Sequence, residues 1–153
     1  MKILITGAKG FIGKNLVSEL KNRSSEWVIL EYDKSSDPVL LDKFCKEADF
    51  VFHLAGVNRP KEQAEFMEGN FGFTSALLDT LKKHGNSCPV MLASSTQALL
   101  DNPYGTSKKA GEDLLFAYGR ETGAKVLIYR FPNVFGKWSR PNYNSAVTTF
   151  CNN

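Results

Sequence analysis

The chain has 153 residues, a formal net charge of +3 and 42% hydrophobic residues. This length predicts one domain with a real core, and the composition is typical of a soluble globular protein. The small net charge and the lack of a basic run argue against nucleic-acid binding. No apolar stretch approaches the roughly 20 residues that span a membrane. Because the N-terminus leads directly into a predicted strand without a signal peptide, we expect a cytoplasmic protein.

The cysteines and histidines point to neither a disulfide framework nor a metal site. Cys45, Cys88 and Cys151 lie far apart and form no C-x-x-C pair. This pattern predicts reduced thiols. His53 and His84 are too few, and too far apart, for a metal-ligand cluster, so we expect no metal.

The first predicted strand, Lys2–Thr6, runs into glycines at 7, 10 and 13 and then into a helix-like segment. A strand, a glycine turn and a helix start form the context in which such glycines indicate dinucleotide binding. The first glycine permits a sharp turn, the second permits close approach to a pyrophosphate, and the third permits close helix packing. The helix N-terminus adds N–H donors for the phosphates. The expected cofactor-binding residues of this loop are Gly7, Lys9, Gly10, Phe11, Ile12 and Gly13.

The second predicted strand, Trp27–Tyr32, ends at an acid, Asp33. An acid at this position can accept both ribose hydroxyls of an adenosine and so favours NAD. The next residue, Lys34, could instead pair with the 2′-phosphate of NADP, so both cofactors stay open, as does a simple solvated loop acid. A helix is predicted over Val39–Ala48. The short spacing before the following strand indicates that a strand is missing or reduced there.

The third strand is predicted over 49–56, and its end is rich in small residues. Ala55 and Gly56, with Leu54, would let a cofactor lie against the strand end. His53 is interpreted as a packed strand residue and not as a catalyst. A long helix is predicted over Lys61–Lys83.

Further strands are predicted over Cys88–Ser94 and Lys125–Arg130. Between them a helix is predicted over Tyr104–Tyr118, broken at Gly119 or Gly123. Alternating strands and helices predict an α/β fold, a Rossmann-like doubly wound parallel sheet. Ligands of such sheets lie at the carboxyl ends of the strands. The hydroxyl run Ser94-Ser95-Thr96 falls at such an end.

Tyr104 and Lys108 stand at positions i and i+4, so they share one helix face. A nearby ammonium favours the phenolate, which would let the tyrosine exchange a proton with a sugar oxygen near neutral pH. Thr96 would hydrogen-bond and position the same oxygen. A tyrosine and lysine at this spacing are often only surface residues. Together with the glycine loop they predict a catalytic set of Thr96, Tyr104 and Lys108, with Tyr104 and Lys108 also contacting the cofactor.

Taken together, these motifs resemble the extended short-chain dehydrogenase/reductase superfamily, the NAD-dependent epimerases, dehydratases and reductases of nucleotide sugars. The resemblance covers essentially the whole chain and is carried by Thr6–Gly13, His53–Gly56, Asn70, Ser94–Thr96, Tyr104 with Lys108, and Tyr129–Gly136. It implies that Thr96 is the catalytic hydroxyl, that Asn133 contacts the substrate and that Asn70 supports the active-site backbone. Arg59 and Thr96 are further expected substrate contacts.

Within that superfamily, Gln97-Ala98 stand where dehydratases carry Asp-Glu, which disfavours dehydration. Several segments, including Phe135–Trp138, are similar to bifunctional capsular-polysaccharide enzymes, whose N-terminal reductase domain precedes a metal-binding cupin domain. The resemblance implies NAD(P)H-dependent reduction at C4 of a 4-keto-6-deoxy UDP-N-acetyl-hexosamine, in the making of UDP-N-acetyl-L-fucosamine for capsule or O-antigen. The cofactor of those enzymes is mainly NADPH.

The same resemblance implies a domain division. Residues 1–136 would form the NAD(P)-binding Rossmann domain. Residues 137–153 would begin a substrate-binding domain that is truncated here, with the cupin absent, so this piece alone is expected to be inactive. A homodimer is expected for the full-length protein. Two alternatives stay open, a UDP-sugar 4-epimerase with bound NAD and a non-catalytic NAD(P)-sensing module.

Overall fold

The computed structural model describes residues 1–139. In this part of the chain, five strands form a single sheet in the order β2-β1-β3-β4-β5, and every neighbouring pair is parallel. The strands are β1 (Lys2–Thr6), β2 (Val28–Tyr32), β3 (Phe50–His53), β4 (Val90–Ser95) and β5 (Val126–Phe131). The predicted doubly wound, Rossmann-like parallel sheet is confirmed. Because β2 and β3 flank β1 on opposite sides, a crevice opens at the carboxyl end of β1, where such sheets bind ligands.

Helical segments connect all of these strands. They are α1 (Phe11–Arg23), α2 (Val39–Glu47), α3 (Glu65–Met67), a π-helical turn (Glu68–Gly72), α4 (Phe73–Lys83), a 3₁₀ turn (Thr96–Leu99) and α5 (Pro103–Thr122). Only α2 joins β2 to β3, so no further strand lies between them, as predicted from the short spacing between these two strands. Within residues 1–139, no helix has the length and apolar character needed to cross a membrane. The predicted start of a second domain at 137–153, including Cys151, falls mostly outside the described residues.

Alternation along β1 divides the core between the two faces of the sheet, since successive strand residues point to opposite faces. Ile3 and Ile5 pack with Val17 of α1 on one face. Leu4 packs on the other face in a larger cluster that includes Leu77 of α4 and Leu115 of α5. Strand β1 is therefore buried on both faces, which explains why its sequence reads as a continuous apolar run.

The boundaries of α5 determine where Tyr104 and Lys108 lie along the helix. Asn102 is the N-cap, and its side chain accepts a hydrogen bond from the N–H of Gly105 at 2.7 Å. Pro103 occupies the first turn, where its missing N–H costs nothing. The helix ends at Thr122, and the break falls at Gly123, the second of the two glycines predicted for it, which adopts a left-handed conformation (φ +73°). Tyr104 therefore lies in the first turn of a twenty-residue helix.

The long helix predicted over Lys61–Lys83 differs from the structure in two ways. It begins at Glu65, and residues Glu68–Gly72 form a π-helical turn. Asn70 lies in this turn and is buried. Such turns interrupt α-helices mostly at functional sites.

Candidate active site at the carboxyl edge of the sheet

A pocket of about 1420 Å³ lies at the carboxyl edge of the sheet. It collects residues from the ends of all five strands and from the first turns of α1 and α5. Every residue proposed from the sequence as a cofactor, substrate or catalytic contact lines it: Gly7, Lys9, Gly10, Phe11, Ile12, Gly13, Asp33, Lys34, Leu54, Ala55, Gly56, Arg59, Thr96, Tyr104, Lys108 and Asn133. The fold thus brings together residues that are up to 126 positions apart, from Gly7 to Asn133.

The glycine loop forms one wall of the pocket. Gly7 has φ +69°, and a Cβ there would lie 2.7 Å from the backbone N of Ala55. A Cβ on Gly13 would lie 2.1 Å from the carbonyl O of Gly7, so this glycine lets α1 pack onto the loop. Gly10 caps α1 without a side-chain hydrogen bond, and the first turn carries no acid. The first turn of α1 therefore offers uncapped N–H groups and a positive dipole end, which fit a pyrophosphate.

At the corner after β2, a lysine of the glycine loop reaches across to the loop that follows the strand. Lys9 Nζ donates a hydrogen bond to Ser35 Oγ at 2.8 Å. Asp33 is half-buried, and its N–H and carbonyl O are both bonded to Ser36. Asp33 and Lys34 both line the pocket. The corner thus combines one carboxylate with two ammonium groups.

Asn70 connects the loop after β3 to α5. Its Oδ1 accepts from the N–H of Val57 at 2.9 Å, and its Nδ2 donates to the O of Val57 at 3.1 Å and to Ser107 Oγ at 3.0 Å. Ser107 Oγ in turn donates to the carbonyl O of Tyr104 at 2.7 Å. A Cβ on Gly56 would lie 2.9 Å from Asn70 Oδ1, so only glycine fits beside this contact.

Ser95 is the hydroxyl residue that acts on the pKa of Tyr104, and it is buried at the last position of β4. Thr96, which we predicted as the catalytic hydroxyl, lines the pocket, is exposed and begins the 3₁₀ turn. The side chain of Ser95 accepts a hydrogen bond from the N–H of Gln97 at 3.1 Å, which makes it the cap of that turn. Ser95 is therefore a second candidate for the catalytic hydroxyl, beside Thr96.

The protonation of Tyr104 also differs from the expectation. Burial raises its pKa above the ordinary value, and the hydrogen bond from Ser95 only partly offsets this. Lys108 donates from Nζ to the carbonyl O of Ala93 at 2.9 Å. Burial lowers the pKa of Lys108 to about 8, while the charge of Glu112 acts in the opposite direction. In this cofactor-free state, burial therefore favours the protonated phenol of Tyr104 over the phenolate.

Beneath Lys108, α5 is anchored to the two adjacent strands by a buried carboxylate. Glu112 accepts from Ser94 Oγ at 2.7 Å and from Arg130 Nε and a terminal Arg130 nitrogen at 2.8 and 2.7 Å. Burial would raise the pKa of Glu112, but these hydrogen bonds hold it below the ordinary value. Sequence analysis missed this contact, because its three members are far apart in the chain.

The remaining predicted substrate contacts lie at the open rim. Arg59 and Asn133 line the pocket and are exposed. Trp138 also lines the pocket, although we assigned it no role from the sequence. Asn15 holds the neighbouring Lys137 in place, because its Nδ2 donates to the carbonyl O of Lys137 at 2.7 Å. The segment after β5 therefore passes beside the start of α1.

Comparison with known proteins gives a family and several relatives. The family described as "NAD dependent epimerase/dehydratase family" matches residues 3–153. A UDP-2-acetamido-2,6-beta-L-arabino-hexul-4-ose reductase of Pseudomonas aeruginosa is 48% identical over 153 residues, which are 100% of this chain and 41% of that protein. The structure of the capsular polysaccharide assembling protein CapF from Staphylococcus aureus matches with a TM-score of 0.86 and 45% identity, over 99% of this chain and 39% of that one.

A more distant relative carries a cofactor. The structure of RMD from Pseudomonas aeruginosa complexed with NADPH matches with a TM-score of 0.81 and 27% identity, over 93% of this chain and 57% of that one. The chain thus spans about two fifths of the length of the first two of these three relatives. The predicted resemblance to nucleotide-sugar enzymes of the capsular-polysaccharide type is confirmed by these matches.

Proposed function

This chain belongs to the NAD dependent epimerase/dehydratase family, and from that premise we propose that it carries the cofactor-binding and catalytic residues of an NAD(P)H-dependent nucleotide-sugar reductase. The observation that carries the proposal is that the hydroxyl residues Ser95 and Tyr104 line the same pocket as Lys108 and the glycine loop. A hydroxyl pair of this kind can bind one carbonyl oxygen of a substrate through two donors. Such positioning is a large part of the rate enhancement in many enzymes.

The proposed reaction is the reduction of a ketone to an alcohol. A bound dihydronicotinamide would supply a hydride to the carbonyl carbon. Tyr104 would donate its proton to the carbonyl oxygen, and Ser95 would hydrogen-bond the same oxygen while negative charge develops there. The raised pKa of Tyr104 in the cofactor-free protein suits a proton donor.

Lys108 would act on both Tyr104 and the cofactor. Its ammonium lies on the same face of α5 as Tyr104, one turn further along the helix. There it would stabilise the phenolate that remains after proton donation, and it could hold the nicotinamide ribose. The hydrogen bond to the carbonyl O of Ala93 keeps this ammonium beside the end of β4.

The substrate class follows from the relatives. We infer a 4-keto-6-deoxy UDP-N-acetyl-hexosamine, reduced at C4, because the relative that is 48% identical is named as a UDP-2-acetamido-2,6-beta-L-arabino-hexul-4-ose reductase. Arg59 and Asn133 at the rim would contact the diphosphate or the sugar. A pathway to UDP-N-acetyl-L-fucosamine for capsule or O-antigen is in keeping with the likeness to a capsular polysaccharide assembling protein. A homodimer remains part of the proposal.

The cofactor is NADP or NAD, and we propose NADPH. Lys9 and Lys34 supply two positive charges at the corner where an adenosine 2′-phosphate would lie, against the one negative charge of Asp33. The NADPH complex of the 27% identical relative supports the same choice.

The test replaces the proposed acid in the protein that carries this chain. Tyr104→Phe should abolish reduction of a 4-keto UDP-sugar, followed as loss of NADPH absorbance, while NADPH binding stays within about threefold, since only the reacting atoms change. Tyr129→Phe, an exposed tyrosine on β5, is the matched control and should retain full turnover. Full turnover by Tyr104→Phe would contradict the proposal. Retained NADH or NAD without consumption of added NADPH would favour the epimerase, and binding without any turnover would favour a sensing module.

A further inference from the structure

A chain of buried hydrogen bonds runs from the end of β1 through His53 to the π-helical turn. Thr6 Oγ1 and His53 Nδ1 are 2.7 Å apart, and His53 Nε2 and Thr74 Oγ1 are 2.8 Å apart. Thr74 Oγ1 donates to the carbonyl O of Asn70 at 2.8 Å. All four side chains are at least nine-tenths buried. This series of hydrogen bonds thus connects β1, β3 and the π-helical turn, which the proposed catalytic residues do not connect.

The contacts determine which ring nitrogen of His53 carries the proton. The hydroxyl proton of Thr74 is used on the carbonyl O of Asn70, so Thr74 can only accept from the imidazole. His53 Nε2 must therefore be the protonated nitrogen, and Nδ1 must accept from the hydroxyl of Thr6. Thr6 Oγ1 is then free to accept from the N–H of Ala55, at 3.3 Å. The donors all point in one direction, from Ala55 to Asn70, and each polar group has a partner.

Both ends of this chain hold parts of the proposed site. At one end, Thr6 precedes the glycine loop and bonds to Ala55, which lies in the wall beside Gly56. At the other end, Asn70 bonds to Val57 and Ser107 and so fixes the first turn of α5. The imidazole is therefore a rigid spacer of fixed length between the wall that would hold the nicotinamide and the Asn70 turn, which in turn bonds to the first turns of α5 through Ser107.

We propose that His53 is a positioning residue for the reduction proposed above: as a neutral Nε2–H imidazole, it sets the distance between the β1–β3 wall and the Asn70 turn. This inference rests on the proposed function. It assigns His53 no contact with substrate or cofactor. The position between Thr6 and Thr74 requires an acceptor and a donor on opposite sides of one planar ring. Among the twenty side chains, only neutral histidine provides that arrangement.

Two other roles for His53 agree less well with the contacts. A proton carrier needs a nitrogen that is free to exchange, but both nitrogens of His53 are bonded inside the core. Burial, with a smaller effect from the charge of Lys108, lowers its pKa to about 3, so it stays neutral at working pH. An apolar residue in contact with Phe73 could fill the same space, but it would leave the hydroxyl proton of Thr6 without an acceptor and the oxygen of Thr74 without a donor.

The first experiment measures the tautomer directly. Nitrogen-15 spectra of the histidine-labelled chain should show one protonated and one unprotonated nitrogen for His53, with shifts that do not change between about pH 5 and pH 9. His84, which is bonded to the exposed Asp42, provides an internal comparison in the same spectrum. A protonated Nδ1, or a titration of His53 within that range, would overturn the proposal.

The second experiment removes the hydrogen bond at one end of this series and keeps the imidazole. Thr74→Val removes the bond between His53 and the Asn70 turn with little change of shape. Thr80→Val is the matched control, because Thr80 on the same helix makes the same kind of bond, to the carbonyl O of Ala76 at 2.7 Å. We expect Thr74→Val to lower kcat about tenfold or more, since misplacement of about 1 Å can cost a factor of about 100. KM for NADPH should change by less than about threefold, because the glycine loop is untouched. Thr80→Val should leave both constants unchanged.

The outcomes separate this inference from the proposed function when Tyr104→Phe is measured in the same series. If Tyr104→Phe loses turnover while Thr74→Val keeps the kcat of Thr80→Val, the positioning role is overturned and the reductase stands. A lower melting temperature of Thr74→Val with unchanged kcat has the same meaning, since a purely structural role affects only stability. If Tyr104→Phe keeps turnover, both proposals fail.

Discussion

Glu112 and Arg130 form a two-bond ion pair in which the carboxylate is completely buried and the guanidinium is about one-third exposed, at 35%. Because the side chain of Glu112 also accepts from Ser94, this one residue of α5 holds two neighbouring strands, β4 and β5. Ser94 and Arg130 are direct partners in the pairing of those strands. The pair therefore fixes α5, and with it Tyr104 and Lys108, at the height of the strand ends where Ser95 lies.

Removing the guanidinium should destabilise the fold far more than removing an exposed arginine. Arg130→Met leaves the carboxylate of Glu112 buried with only Ser94 as a partner. Loss of one partner of a buried pair is strongly destabilising, so we expect a fall in melting temperature of about 5 °C or more. Arg23→Met, which removes an exposed ion pair with Glu19, should lower it by less than about 2 °C. Thermal unfolding followed by circular dichroism measures both, and equal shifts would contradict the structural role of the pair.

The charge of Lys108 predicts how the rate depends on pH. Burial places its pKa at about 8, so the side chain is cationic below that pH and becomes neutral as the pH rises through it. If the ammonium stabilises the Tyr104 phenolate, kcat/KM should fall as the pH rises through about 8. In Lys108→Arg the charge persists to much higher pH, so that decline should disappear, whatever activity remains. Rates measured between about pH 6 and pH 9.5 test this, and the same decline in Lys108→Arg would assign it to another group.

The lysines at the corner after β2 predict that the protein prefers NADPH to NADH. Substitution of either lysine alone should weaken this preference. Removing a charged partner of a phosphate costs roughly 1.5–3 kcal/mol, which corresponds to tenfold or more in affinity. Lys34→Ala and Lys9→Ala should therefore each raise the Kd of NADPH about tenfold and change that of NADH by less than about threefold. NADH is the internal control, because it lacks the 2′-phosphate. Fluorescence titration of the chain with both cofactors measures the ratio. Tighter binding of NADH by the unmodified chain would show that Asp33 outweighs the lysines.

Much of this site could be predicted because its motifs are local in sequence. The glycine loop, the small residues after β3 and the pair of Tyr104 and Lys108 are each contained within eight residues, and parallel strands bring their ends to one edge. The π-helical turn around Asn70 could not be predicted, since its residues also suit an α-helix. The bonds of His53 and Glu112 connect residues at least 18 positions apart, and no local pattern encodes such pairs.

The choice between adjacent hydroxyls was also beyond the sequence. All six residues of β4 are buried, so no alternation of polar and apolar residues indicates which side chain faces Tyr104. We favour Ser95, because it is buried at the end of β4 and acts on the pKa of Tyr104, whereas Thr96 is exposed.

The choice between these two adjacent hydroxyls gives the most direct test of the site. Ser95→Ala removes the hydroxyl that acts on the pKa of Tyr104, and loss of one hydrogen bond to a developing oxyanion costs about 100-fold or more in kcat. Thr96→Ala removes an exposed hydroxyl one residue away and should lower kcat by less than about threefold, since loss of uniform binding affects mainly KM. Ser95→Thr should keep measurable turnover, because it keeps the hydroxyl. Steady-state rates with saturating NADPH compare the three variants. If Thr96→Ala suffers the larger loss, the catalytic hydroxyl is Thr96.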